Sequence, residues 1–352
     1  MSAHNRLFVF DSDASNPYGE ELHGVLIKGV PETLFVGPAD HRLKHTPYAL
    51  RPRFERVAPW MIVREILSVL KLCLAISARQ PVVIVWARTY QRFLLGLVPY
   101  FRPGSVIYIV HNPEPSRWPS GARRVLETWL LARVRPVVHS ENLRAALFNL
   151  CQIDAQVVVH PPYAGWKSRV GARHTRRDVN GKGIRLLIMG RLERDKFRSL
   201  EELINALDGL PVPATLRMLV RPAVVDLPET TSLVVENRSG DKWIDDKDLA
   251  EALQWTDILL APYEAVTESG TVQLALTMGV RVVGFSGGAM CESLRPDALA
   301  ERGDYDGLVG AILRVSRSVD GTGLWTAESR EADCRRSWED VLFADGVIRP
   351  KP

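Results

Sequence analysis

Four cysteines in 352 residues are few, and at Cys73, Cys151, Cys291 and Cys334 they are far apart. No CxxC or CxxH spacing occurs, which argues against a zinc site or a disulfide framework. Free thiols in a reducing compartment are the simpler account. A long apolar run is also missing. The opening MSAHNRLFVFDSD contains no stretch long enough for a signal peptide. The most apolar segment, Trp60–Ser77, is interrupted by Arg64, Glu65 and Lys71, which makes it a poor membrane span. It reads as a helix with a broad apolar face, packed on a sheet in preference to docking on a membrane. There is no internal repeat and no low-complexity tract. The expectation is a cytoplasmic protein, peripheral at the inner membrane face at most.

What is present is ordinary globular material. Hydrophobic residues make up 46% and charged residues 24%, which excludes a mainly disordered chain. The length suggests two domains. The net charge of +4 is unevenly distributed: residues 1–170 hold 21 Lys and Arg against 12 Asp and Glu, so the remainder is acidic. A basic half points to an anionic partner, and lipid headgroups, a lipid-phosphate acceptor and nucleic acid all fit. Nucleic acid fits least well, because no aromatic platform is interleaved with the basic residues.

Short β-branched runs alternate with helical patterns. Arg6–Phe10, Val82–Trp86 and Val106–Val110 read as strands, the last two as continuous apolar runs of the kind buried on both faces of a parallel sheet. Helical periodicity lies near 20–28, 61–78, 90–100, 120–133 and 140–150, with Ser140 as an N-cap. Val157–His160 looks like one more short strand. Periodicity fails from Pro161 to Gly183, where Gly, Arg and Pro accumulate as in a linker. A second series then begins at Ile184–Met189 and runs to a terminal helix near Thr326–Phe343. The expected organisation is therefore an α/β domain over 1–165, a linker over 166–183, a second α/β domain over 184–325 and a closing segment over 326–352. Two βαβα series imply two doubly wound sheets, and ligands of such sheets sit beyond the carboxyl ends of the strands.

Two segments carry chemistry. In IMGRLERDKFRSLEELINAL (188–207) a strand ends at Gly190, with Arg191 next, Lys196 five residues later and a helix opening near Ser199. Cations beside free helical N–H groups suit a diphosphate. In DILLAPYEAVTESGTVQLALTMGVRVVGF (257–285) a strand ends at Pro262, and Glu268-Ser269-Gly270-Thr271 opens a helix. Gly270 permits close backbone approach, and the Ser269 and Thr271 hydroxyls add donors. Each pattern also fits a plain surface loop or capped helix.

Together these segments resemble glycosyltransferase family 4. GRLERDK…LEELINAL is similar to that family's GRL-x-x-x-K-G signature. WIDDKDLAEALQWTDILLAPY and SGTVQLALTMGVRVVGFSGGAMCESL resemble its later donor-domain segments, and SWEDVL resembles its closing helix. VHNPEPS (110–116) and VVHSENLRAAL (137–147) are similar to its acceptor-domain pieces. The resemblance spans most of 106–343. It implies the GT-B fold, two Rossmann-like doubly wound domains facing a central cleft, and a nucleotide-diphosphate sugar, GDP- or UDP-linked, as donor substrate.

By the same resemblance Arg191 and Lys196 bind the donor diphosphate, so that neither a metal nor a cofactor is needed. Trp243 and Ile244 lie near the nucleobase, Ser269, Gly270 and Thr271 donate to the phosphates, and His111 sits beside the transferred sugar. The chain departs from the family at two places. Val266 and Leu274 stand where two glutamates are usual, with Glu268 nearby but out of register as the candidate for the sugar contact, and Phe197 stands where a Gly follows the Lys. Retention or inversion of the anomeric centre stays open. An inverting enzyme needs a base, and Asp11 and Asp13 in the loop DSDASNPYGEEL are the first candidates. His139 and His160 read as structural.

The leading expectation is a hexosyltransferase of the mannose or glucose type, acting on a saccharide or lipid-linked acceptor in polysaccharide or glycolipid synthesis. A nucleotide-sugar epimerase of the same fold and a degenerate nucleotide-binding subunit are the alternatives.

Overall fold

The structure, a computed structural model, describes residues 6–12, 17–37, 59–77, 80–100, 104–111, 120–171, 183–191, 199–242, 244–263, 269–318 and 321–344. The chain divides into two compact units, residues 1–161 with 330–352, and residues 162–329.

The first unit runs β1 (Leu7–Asp11), α1 (Tyr18–Gly29), β2 (Thr33–Val36), α2 (Pro59–Ser77), β3 (Val82–Trp86), α3 (Thr89–Leu97), β4 (Val106–Ile109), α4 (Gly121–Leu131), β5 (Arg135–Val138), α5 (Glu141–Cys151) and β6 (Gln156–Val157). All pairings are parallel, in the order β2-β1-β3-β4-β5-β6. Strand side chains alternate between the two faces of the sheet. Phe8 and Phe10 pack with Val69, Leu72 and Ile76 of α2 and with helices α3, α4 and α5. Leu7 and Val9 pack on the other face with Leu22, Val25 and Leu26 of α1. This second core is completed by Cys334, Trp338, Val341 and Leu342. Burial on both faces explains why β1, β3 and β4 are unbroken apolar runs. Ser140 caps α5, its hydroxyl accepting from the Leu143 N–H at 3.2 Å.

The second unit contains α6 (Ala164–Arg169), β7 (Ile184–Arg191), α7 (Leu200–Asp208), β8 (Ala214–Arg221), β9 (Leu233–Asn237), α8 (Asp246–Trp255), β10 (Ile258–Ala261), α9 (Gly270–Met278), β11 (Arg281–Phe285), α10 (Met290–Ser293), β12 (Leu299–Ala300) and α11 (Tyr305–Arg317), followed by α12 (Ala327–Phe343). Its parallel sheet has the order β12-β11-β10-β7-β8-β9. Counted from β7 as first, this is 6-5-4-1-2-3, the strand order of dinucleotide-binding folds. Leu186 and Ile188 face α7 and α11, while Leu187 and Met189 face α8 and α9.

Three expectations need correction. Residues 166–183 are not wholly irregular: α6 spans Ala164–Arg169, and Trp166 is buried in the second unit's core. Tyr163 and Trp166 supply the anchoring area that a Gly-, Arg- and Pro-rich composition obscures. The Lys167 ammonium donates to Thr277 O at 3.0 Å, and the Tyr163 N–H donates to Thr277 Oγ1 at 3.2 Å. The strand placed at 157–160 is Gln156–Val157, and beyond it the Val159 N–H leaves the sheet to bond Ser337 Oγ at 3.0 Å. Strands β2, β5 and β12 and helices α10 and α11 have no counterpart in the sequence reading.

Candidate functional site

In the second unit the chain leaves β7 toward β8 on one side and β10 lies on the other, so the strand order reverses between β7 and β10. Crevices at such switch points bind ligands. The residues that end these strands meet there. Gly190 has φ +107°, a conformation open to glycine and strained for other residues. A Cβ on Gly190 would lie 3.4 Å from Thr271 Oγ1, so the end of β7 runs directly against the first turn of α9. Arg191 follows, exposed. Its ladder partner on β8 is Arg221. Burial, and then the adjacent Arg191 charge, push the Arg221 pKa down. Two guanidinium groups therefore stand side by side at adjacent strand ends, next to a helix N-terminus with no acidic residue in its first turn. This grouping suits a multivalent anion.

Ser269 occupies the N-cap of α9 without capping it through its side chain. Its hydroxyl and that of Thr271 both hydrogen-bond the buried Tyr263, whose pKa is raised by burial. Tyr263 thus fixes the two hydroxyls on either side of Gly270. A Cβ on Gly270 would come 3.0 Å from the Tyr163 hydroxyl, which places a second phenol at the same helix end. Sequence reasoning missed both tyrosines. The only local signal is Tyr263 following Pro262 directly after a buried strand.

At the end of β8 lies a groove lined by Leu219, Val220, Gly240, Lys242, Ile244 and Asp248. Ile244 is half-buried and packs on the core beneath α8. Lys196, Trp243 and Glu268 lie outside the described residues, as does Asp13 in the first unit.

In the first unit the order reverses between β1 and β3. Asp11 ends β1 and is fully buried. A Cβ on Gly19 would overlap Asp11 Oδ2, so the carboxylate abuts the first turn of α1, where N–H groups and the helix dipole favour a negative charge. His111 follows β4 and is half-buried. Its ring stacks on Trp86 with centroids 4.0 Å apart and meets Tyr18 edge-on at 5.1 Å. His111 Nε2 lies 3.2 Å from Val85 O. A carbonyl only accepts, so Nε2 carries the proton and Nδ1 keeps its lone pair. Burial above all, then the neighbouring His139, lowers the His111 pKa to about 3.

His139 and His160 are buried beside it. His139 Nδ1 donates to Val158 O at 3.0 Å, leaving Nε2 to accept from the Tyr18 hydroxyl at 2.6 Å. His160 Nδ1 donates to Pro161 O at 2.7 Å. Burial lowers the His139 pKa to about 4 and holds the His160 pKa well below the usual imidazole value. The three imidazoles are neutral at pH 7, with tautomers set by backbone carbonyls.

No family model matches the sequence, and no curated protein matches it significantly. Solved structures do match it along its whole length. HepE from Anabaena, in complex with UDP and glucose, is 14% identical over 96% of this chain and 95% of that one, with a TM-score of 0.58. Sucrose-phosphate synthase from Thermosynechococcus elongatus is 13% identical over 97% of each chain, TM-score 0.58. A putative UDP-N-acetylglucosamine 2-epimerase from Listeria monocytogenes is 12% identical over 99% of each, TM-score 0.56. At such identities the likeness is one of architecture, and with two Rossmann-like units built on parallel six-stranded sheets the chain has the GT-B fold.

Proposed function

We propose that the chain is a glycosyltransferase that transfers a hexose from a nucleoside-diphosphate sugar to a saccharide or lipid-linked acceptor at the inner face of a membrane. The observation that carries this reading is the meeting of Gly190 with the N-terminus of α9 at the switch point of the second sheet, with Arg191 and Arg221 paired at the adjoining strand ends. The likeness to HepE, which binds UDP and glucose, supports a nucleotide sugar as the ligand. UDP and GDP are both carried forward as the base.

In this reaction the bond between the anomeric carbon and the diphosphate oxygen breaks, and its electron pair stays on the phosphate. Arg191, Lys196 and the N–H groups of Gly270 and Thr271 take up that charge without a metal. Trp243 and Ile244 border the base. His111, neutral and protonated on Nε2, offers Nδ1 as an acceptor for a sugar hydroxyl, with Glu268 as a second candidate for contact with the sugar. An inverting reaction would require a base. Asp11, sealed beneath α1, is engaged structurally, which leaves Asp13 as the candidate from that loop.

Thermal shift with UDP, GDP, TDP and their sugar conjugates tests the reading on wild type and on Arg191→Ala/Lys196→Ala. A ligand at 100 times its dissociation constant adds about 2.7 kcal/mol of stability. One nucleotide should stabilise wild type and not the double variant. No shift with any of them would sink the proposal. The likeness to a putative epimerase supports a second reading, interconversion of the donor sugar itself. Product formation from a UDP-sugar without any acceptor would favour it.

A further inference from the structure

Helix α2 is apolar on two faces. Val69, Leu72 and Ile76 point into the first unit's core. Val63, Leu67, Leu70 and Leu74 point outward and are 57%, 53%, 41% and 72% exposed. Their spacing of i, i+4, i+7 and i+11 makes one continuous stripe about 16 Å long. A surface helix normally turns a polar face to water, so a second apolar stripe of this length calls for an occupant. Helices α2, α3 and α4 cover the same face of the sheet, and α3 and α4 add exposed Phe93 and Val125.

Among the described residues, the exposed charge around the stripe is positive. Lys71 is exposed one turn from Leu67 and from Leu74, and Arg124 is exposed beside Val125. Between residues 59 and 135 the sequence has 11 Lys and Arg but only three Asp and Glu. One of those three, Glu127, is buried and paired with Arg92 at 2.6 Å. Two copies meeting through this surface would set cation against cation. Among the described residues no helix is long and apolar enough to cross a membrane, so α2 does not span one. A Leu-rich stripe flanked by Lys and Arg on a helix whose other face is occupied is the pattern of a segment lying in the headgroup region of an anionic bilayer.

We infer that the outer face of α2, with the neighbouring tips of α3 and α4, is a docking surface for an anionic lipid bilayer. Leu67, Leu70 and Leu74 enter the acyl boundary, while Lys71 and Arg124 meet phosphate headgroups. The inference deepens the membrane element of the proposed function and rests on it. Its test reads binding and not turnover, so its failure leaves the donor site untouched.

The experiment is co-sedimentation of the full chain with vesicles of phosphatidylglycerol and phosphatidylcholine, against phosphatidylcholine alone, at 50 and 500 mM salt. Wild type should sediment with the anionic vesicles, and less so at high salt. Leu67→Asp/Leu74→Asp should weaken binding at least about tenfold, since it removes two apolar anchors. Lys71→Glu/Arg124→Glu should abolish the preference for phosphatidylglycerol. Leu67→Ser/Leu74→Ser gives the same reading should the aspartates unfold the helix. Absence of wild-type sedimentation at 50 mM salt, or wild-type binding by the Leu67/Leu74 variants, would overturn the inference. So would a wild-type dimer in light scattering that those variants dissolve, which would assign the stripe to a second copy.

Discussion

Asp11 and Gly19 form one packed joint: the carboxylate that ends β1 occupies the space a Cβ on Gly19 would need. Gly19→Ala forces a buried carboxyl group to move, so it should lower stability by about 1–3 kcal/mol, as overpacking does. Gly24, five residues along the same helix and with open space about it, is the matched control. Gly24→Ala should be neutral or raise stability by about 0.5–1 kcal/mol through helix propensity alone. Urea unfolding of the two variants decides the matter. Equal effects would mean that the joint carries no strain.

The Tyr18–His139 bond predicts an asymmetric loss. Tyr18→Phe keeps the ring and its packing and removes the donor, leaving His139 Nε2 buried without it. An orphaned buried acceptor costs about 1–3 kcal/mol. A melting temperature equal to wild type would show that another donor takes over.

Buried neutral imidazoles make folding sensitive to acid in a defined window. The folded pKa values of His139 and His111 are depressed to about 4 and about 3, from a usual value near 6.5. Between these limits the unfolded chain binds protons that the folded chain does not, so stability rises with pH through this range and is complete above about 6.5. Each such histidine contributes at most about 1.4 kcal/mol per pH unit. Unfolding free energy should therefore fall steadily from pH 7 to pH 5, a range above most carboxylate titration. A flat profile there would contradict the neutral cluster.

At the proposed donor site Arg191→Ala and Arg221→Ala should each weaken nucleotide-diphosphate binding by about 10- to 100-fold, the scale of one charge-assisted hydrogen bond. Titration calorimetry with UDP and GDP measures this. If only Arg191→Ala has an effect, Arg221 serves the sheet edge and not the anion.

Gly190→Ala tests the backbone. Its positive φ should make the substitution destabilising by about 1–3 kcal/mol, and it should weaken nucleotide binding by shifting Arg191 against Thr271. Unchanged affinity in a folded variant would separate the turn from the site.

Much of this architecture is legible in the sequence because its signals are local. Val82–Trp86 and Val106–Ile109 are unbroken apolar runs, and helices cover them on both sides. Gly190-Arg191 stands out because it closes an apolar strand, and Ser269-Gly270-Thr271 because it opens a helix after one. Long-range features leave no such trace. Tyr18 and His139 are bonded across 121 residues. Nothing near Trp86 announces that it will stack on His111. Helix α11 escapes notice because Gly307 and Gly310 lower its propensity. It forms because Leu308, Ala311, Ile312 and Val315 are all buried. At α6 composition points toward a loop, and burial of one tryptophan outweighs it.

The placement of Trp338 bears on how the chain is made. Cys334, Trp338, Val341 and Leu342 are core residues of a unit whose other elements lie before residue 162. A ribosome finishes the second unit while the first still lacks part of its interior, so the earlier unit is able to close only after the later one has been made. Losing Cys334–Leu342 would trim no surface; it would hollow out the unit that residues 1–161 build.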